Sequence, residues 1–159
     1  HRDLHSFPTR RSSDLMNYAN PDMVGHTGNM DATINALEAV DHEVGRLVSA
    51  IGSGGGTTII IADHGNAEYM HDEQGRPWTA HTTNPVPFIL IEGEGLKIPG
   101  HGGEVELRQE GGCLADVAPT ILQILQLPIP EEMGGQSMIV QEVTEYKPSR
   151  TPVKVSLQR

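Results

Sequence analysis

The chain has 159 residues, of which 36% are hydrophobic, 20% charged and 4% aromatic, with a formal net charge of −10. That length suits one domain with a sizeable core, and the acidic balance, without Lys/Arg runs interleaved with aromatics, argues against nucleic acid or anionic lipid as a partner. The single Cys113 allows no internal disulfide and no stretch approaches the roughly 18 apolar residues of a bilayer span, so a cytoplasmic setting with no membrane partner is expected.

Residues 1–15, HRDLHSFPTRRSSDL, follow neither a helical nor a strand period and read as a foreign leader, with a genuine disordered tail as the alternative. Their three arginines exceed their two aspartates by one, so without them the net charge would be −11. The next stretch, Asn20-Pro21-Asp22-Met23-Val24-Gly25-His26-Thr27-Gly28, is built of turn residues and is expected as a loop that sets a carboxylate and an imidazole four residues apart.

Met30, Ile34, Leu37, Val40, Val44, Leu47, Val48 and Ile51 recur at steps of three and four, which predicts a helix over about 30–51. Asn29 or Asp31 can cap its start, and the glycine run 52–56 ends it. Thr57-Thr58-Ile59-Ile60-Ile61-Ala62 is a β-branched run without alternation, as expected of a strand covered on both faces in a parallel sheet, with Asp63-His64 at its C-terminal end, where such sheets bind ligands.

A loop containing Glu68, His71 and His81 leads to a second strand, Val86 to Ile91, in which Pro87 must sit among the first residues or on an edge. Asp116 to Leu127 predicts a second amphipathic helix, with Asp116 as its cap and Pro119 in its first turn. Residues 16–140 are read as the domain and 141–159 as a poorly ordered tail. A helix between strands, with acids and histidines on the connecting loops, gives an α/β layered sheet as the fold class.

The loops together offer Asp22, His26, Asp63, His64 and His81, oxygen and imidazole donors of the kind that suits Mn²⁺ or Mg²⁺ better than thiol-seeking metals. Cations there would also reverse the acidic sign locally and let a phosphate approach. Taken singly, each group has a plainer explanation: Asp22 as a turn aspartate bonding its own backbone, His26 as a surface histidine, Asp63-His64 as a solvated strand end, His81 as a loop histidine. Glu68 reads as a solvated loop acid that could support a ligand, His42 and Arg46 as a charged helix face, and His71 and His101 as loop residues without a special role.

The wording of the Asn20–Gly28, Ala62–Glu68, Thr79–Pro85 and Gly112–Thr120 segments, in that order, resembles the cofactor-independent phosphoglycerate mutases, a branch of the alkaline-phosphatase-like metalloenzymes. The resemblance runs from about Asn17 to about Val140, and family members are far longer, so a C-terminal fragment is expected, with a clipped core strand ending at Asn17–Asn20.

It implies two divalent metals, Mn²⁺ first and Mg²⁺ as the alternative. Asp22, His26 and His81 would hold one, and Asp63 and His64 would belong to the other. It further implies interconversion of 3-phosphoglycerate and 2-phosphoglycerate through a phosphoserine, by a monomeric glycolytic enzyme acting on a small molecule. The serine and the substrate-gripping domain have no match here, Ser6, Ser12 and Ser13 lying in the leader, so no catalytic residue is assigned and the chain alone is expected to be inactive. Rival expectations are a phosphatase, phosphopentomutase or sulfatase sharing the two-metal core, or a non-catalytic metal-binding remnant.

Overall fold

The computed structural model describes residues 13–92 and 105–140, and the backbone of 153–158. Most of the expected leader, His101 and residues 141–152 of the expected tail lie outside the described residues.

The first element departs from expectation. Residues 13–19 carry no regular structure in place of a strand end, and Asn20–Gly25 forms a short helix, α1, instead of a loop. Pro21 explains the start, since its fixed φ suits a first helical turn and its missing amide would have had no partner there. Asp22 therefore lies inside a helix and His26 at its C-cap, where the His26 amide donates to the Asp22 carbonyl at 3.1 Å.

Helix α2, Met30–Ser53, forms as the apolar period predicts, and Asn29 is its cap, accepting from the Ala32 amide at 3.0 Å. It packs on α1 and touches the first strand, yet its stripe stays half open: Met30, Ile34, Leu37 and Ile51 are 38–44% exposed, and Thr33 is its one fully buried residue.

Strand β1, Thr58–Ile61, appears where expected but not with the expected partner direction. It pairs antiparallel with β2, Val86–Ile91, in the register Thr58↔Ile91 to Ile61↔Phe88. A β-branched run favours extended backbone whichever way its neighbour points, so composition predicted the strand and not its orientation. In the sheet order β1-β2-β4-β3, strand β4 (Val153–Gln158), which falls in the segment expected as a tail, pairs antiparallel with β2 and parallel with β3 (Gly112–Cys113).

The core lies on one side of β2. Val86, Phe88 and Leu90 are buried at alternating positions with Pro87 exposed near the strand start, and they cluster with Val105, Leu107, Met138 and Ile139. Val117 and Ile124 of the helix α3, Val117–Ile124, pack onto this cluster.

Asp116 does not cap α3 with its side chain; it ends a 3-10 turn, Leu114–Asp116, and its buried carboxylate ties the end of the domain together. Oδ2 accepts from the Cys113 amide at 3.0 Å and from Arg108 at 2.7 Å, while Oδ1 accepts from the Gln136 amide at 2.8 Å. Among the described residues no helix is long and apolar enough to cross a membrane.

Candidate metal centre

Antiparallel pairing brings the exit of β1 and the entry of β2 to the same rim of the sheet, above the Ile61↔Phe88 pair. His64, three residues past β1, and His81, five before β2, therefore hang from one edge although they are seventeen positions apart. Their rings stack with centroids 3.6 Å apart. Helix α1 delivers the rest, because Asp22 and His26 lie one turn apart and so face the same way.

Three imidazoles converge on one carboxylate oxygen. Asp22 Oδ1 lies 3.0 Å from His81 Nε2, 3.3 Å from His26 Nε2 and 3.9 Å from His64 Nε2. The His26 and His81 Nε2 atoms are themselves 3.0 Å apart. Asp22, His64 and His81 each contribute one donor atom to a set lying within 4.8 Å of one another, a separation that one cation can bridge.

Hydrogen bonds around the cluster orient its donors. The Thr79 carbonyl, 2.6 Å from His26 Nδ1, can only accept, so His26 donates from Nδ1 and its ring is held with Nε2 toward the cluster. Nε2 of His26 then lies beside the Asp22 carboxylate oxygen and a second imidazole nitrogen. Burial raises the Asp22 pKa, but the Asn66 hydrogen bond and the nearby His26, His81 and His64 imidazoles outweigh it, so the net direction is down and the carboxylate stays charged. A carboxylate oxygen and imidazole nitrogens gathered this closely form a donor set suited to a divalent ion.

Of the five residues singled out from sequence, Asp22, His26, His64 and His81 come together, while Asp63 stands at the margin. Its side chain is 85% exposed and its Oδ1 is 3.6 Å from His64 Nε2, so His64 lies between Asp63 and Asp22. His42 and Arg46 lie on α2, with Arg46 paired to Glu43 at 2.8 Å, and His71 forms an isolated bridge with Pro77.

Asn66 was not singled out, yet it is 6% exposed and its Nδ2 donates to Asp22 Oδ1 at 2.8 Å. Gly25 makes room for it, since a Cβ there would run into the Asn66 Oδ1 atom. Glu68 is exposed, as a loop acid is expected to be, yet it is not left to solvent alone: it accepts from the Asn66 amide, the Thr82 hydroxyl and the Asn84 amide group. The available signal was spacing, a polar side chain two residues and another four residues beyond His64 in a glycine-bearing loop; only the fold buries Asn66 and gives the exposed Glu68 its partners on a remote loop.

A sequence profile of the metalloenzyme superfamily matches residues 12–129. The chain is 66% identical over 142 residues to the 2,3-bisphosphoglycerate-independent phosphoglycerate mutase of Synechocystis sp., a match covering 89% of the chain and 26% of that relative. It is 68% identical over 143 residues to the enzyme of the same name from Trichodesmium erythraeum, with 90% and 27% covered, and 63% identical over 143 residues to that from Gloeobacter violaceus, with 90% and 26% covered. The chain thus spans about a quarter of the length of the curated relatives it matches.

Proposed function

The chain belongs to the metalloenzyme superfamily, and from that membership we propose that it is the metal-binding part of a cofactor-independent phosphoglycerate mutase, an isomerase interconverting 3-phosphoglycerate and 2-phosphoglycerate. The observation carrying this proposal is the convergence of His26, His64 and His81 from three separate segments onto one Asp22 carboxylate oxygen. Asp22, His26 and His81 would hold one divalent ion, Mn²⁺ first and Mg²⁺ second, and His64 with Asp63 would contribute to another. His64 supports adjacent sites, since its Nε2 lies within 4 Å of both aspartates.

Ions held there would supply positive charge to phosphoryl oxygens. The chain's own residues prepare the site: Asn66 orients the Asp22 carboxylate, and the Thr79 carbonyl orients the His26 ring. The His26 and His81 side chains are 40% and 44% exposed, which leaves the cluster open to a small phosphorylated molecule. With a net charge of −10, the rest of the surface would repel such a substrate, so local reversal of sign is needed for binding.

Among the described residues no serine hydroxyl bonds to the cluster: those of Ser49 and Ser53 donate to α2 carbonyls and that of Ser137 accepts from the Ile139 amide. The 159-residue chain alone is therefore proposed to bind metal without turning over phosphoglycerate, a serine and further substrate contacts coming from the sequence that the longer relatives carry. The names of those relatives favour a mutase over a phosphatase, phosphopentomutase or sulfatase. A small-molecule substrate, a monomeric enzyme and the cytoplasm complete the proposal.

Calorimetric titration of the purified chain with Mn²⁺, followed by ³¹P NMR of 3-phosphoglycerate with and without an added N-terminal piece of a relative, tests it. Metal binding with isomerisation only in the mixture is expected. Absence of Mn²⁺ binding refutes the metal site, turnover by the chain alone refutes its dependence on a partner piece, and release of inorganic phosphate in place of isomerisation supports the phosphatase alternative.

A further inference from the structure

The cluster draws its donors from three segments remote in sequence, so their mutual spacing must be held by something other than the chain between them. Glu68 stands where those segments meet. Its Oε2 accepts from the Asn66 amide at 2.6 Å, and its Oε1 accepts from Asn84 Nδ2 at 2.9 Å and from the Thr82 hydroxyl. Asn66 belongs to the His64 loop and Thr82 and Asn84 to the His81 loop, so one carboxylate clasps both.

The clasp closes next to the imidazoles. The Thr82 amide donates to the Gly65 carbonyl at 2.8 Å, forming an antiparallel bridge whose two residues directly follow His81 and His64. Gly65 has no side chain to spare, since a Cβ there would strike Thr82 Oγ1 and Glu68 Oε1. From the same junction Asn66, anchored through its amide, reaches Asp22 Oδ1 with its side chain at 2.8 Å. Glu68 itself bonds to none of Asp22, His26, His64 and His81. Burial raises its pKa, but the bonds from Thr82, Asn84 and Asn66 outweigh burial and lower it, so the donors meet an anion and each bond is charge-assisted.

We infer that Glu68 is a positioning residue for the metal site, locking the His64 and His81 loops to one another directly and Asp22 to both through Asn66. This role rests on the metal-binding proposal above. It separates Glu68 from an acid that merely steadies a loop, because it requires the donor geometry at the cluster to change when the clasp is removed.

Mn²⁺ affinity by calorimetry and the visible d–d spectrum of the Co²⁺-loaded 159-residue chain test it, with far-UV circular dichroism as the fold check. Glu68→Ala is expected to weaken Mn²⁺ binding by about 10- to 100-fold and to alter the Co²⁺ bands. Glu68→Gln should recover part of the loss, because its amide oxygen still accepts from Asn66. Glu73→Ala, which removes an equal charge from an exposed loop position, should match the parent chain. Unchanged affinity and spectrum in folded Glu68→Ala overturns the inference. Should Glu68→Ala lose its helical signal, Glu68→Gln and Thr82→Val carry the test, and parent-like binding and bands in both overturn it. A parent chain that binds neither ion brings down the metal site and this role with it; a parent that binds, a His81→Ala variant that does not, and parent-like Glu68 variants bring down this role alone.

Discussion

Replacing Asp116 with alanine should unfold the domain from its C-terminal side more effectively than any loss at the exposed cluster. The carboxylate is 6% exposed and accepts three bonds, from Arg108 at 2.7 Å, the Gln136 amide at 2.8 Å and the Cys113 amide at 3.0 Å. Its removal leaves two backbone amides unpaired and strands a guanidinium whose Nε is already buried without a partner. Breaking one side of a buried ion pair costs about 3–5 kcal/mol. Each amide bond to a charged acceptor contributes about 1.5–3 kcal/mol, and because the three share one group they do not add. A loss of about 4 kcal/mol is therefore expected for Asp116→Ala, and less for Asp116→Asn, whose oxygen keeps one amide.

Urea unfolding followed by far-UV circular dichroism measures both. The acid limb gives an independent check. Burial raises the Asp116 pKa, but the Gln136 and Cys113 amides and Arg108 outweigh it, so the folded value lies below the unfolded one, roughly 3.9. The native state then binds fewer protons, so this stabilisation is fully present above pH 4 or so and is lost as pH falls through the folded pKa. Asp116→Asn should lack that part of the acid fall. A loss under about 1 kcal/mol for Asp116→Ala, or parallel acid limbs for the parent and Asp116→Asn, would refute the reasoning.

Asp22→Asn should abolish the tighter Mn²⁺ equivalent in a calorimetric titration, whereas Asp63→Asn, altering a side chain 85% exposed, should affect only a second and weaker one; equal effects would count against the distinction. Gly25→Ala should push Asn66 off Asp22 and weaken Mn²⁺ binding about tenfold, while Gly45→Ala, whose Cβ meets nothing within 4 Å, should raise the unfolding free energy by about 0.4–1 kcal/mol. Phe88, fully buried in the centre of the core, should cost about 3–5 kcal/mol on replacement by alanine, read from the shift in urea midpoint at constant slope.

Periodicity and wording made much of this legible in advance. The apolar steps from Met30 to Ile51 predicted α2 because a helical face repeats every three to four residues whatever it packs against. The β-branched run before Asp63 predicted β1, and the position of Pro87 fitted an early strand residue. Asp22, His26, Asp63, His64 and His81 were singled out as candidate ligands because their residue types are metal donors and the motifs around them resemble one family in order, although each alone had a plainer reading. Turn-like composition misled at Asn20–Gly25, where a proline accepted in a first helical turn outweighed the glycine and asparagine around it.

Other properties arise only when segments meet. The antiparallel direction of β1 on β2 is a relation between two strands, written in neither, yet it is what brings His64 and His81 to one rim. Likewise the roles of Asn66, Glu68 and Asp116 depend on partners 44, 14 and 20 residues away, and a polar letter reads the same whether solvent or a remote amide satisfies it. Side-chain chemistry is therefore local and was present in the sequence, whereas burial and pairing are set by the whole fold: distant segments must meet before Glu68 finds its donors, and desolvation makes the bonds of Asn66 and Asp116 obligatory only once those segments have closed over them.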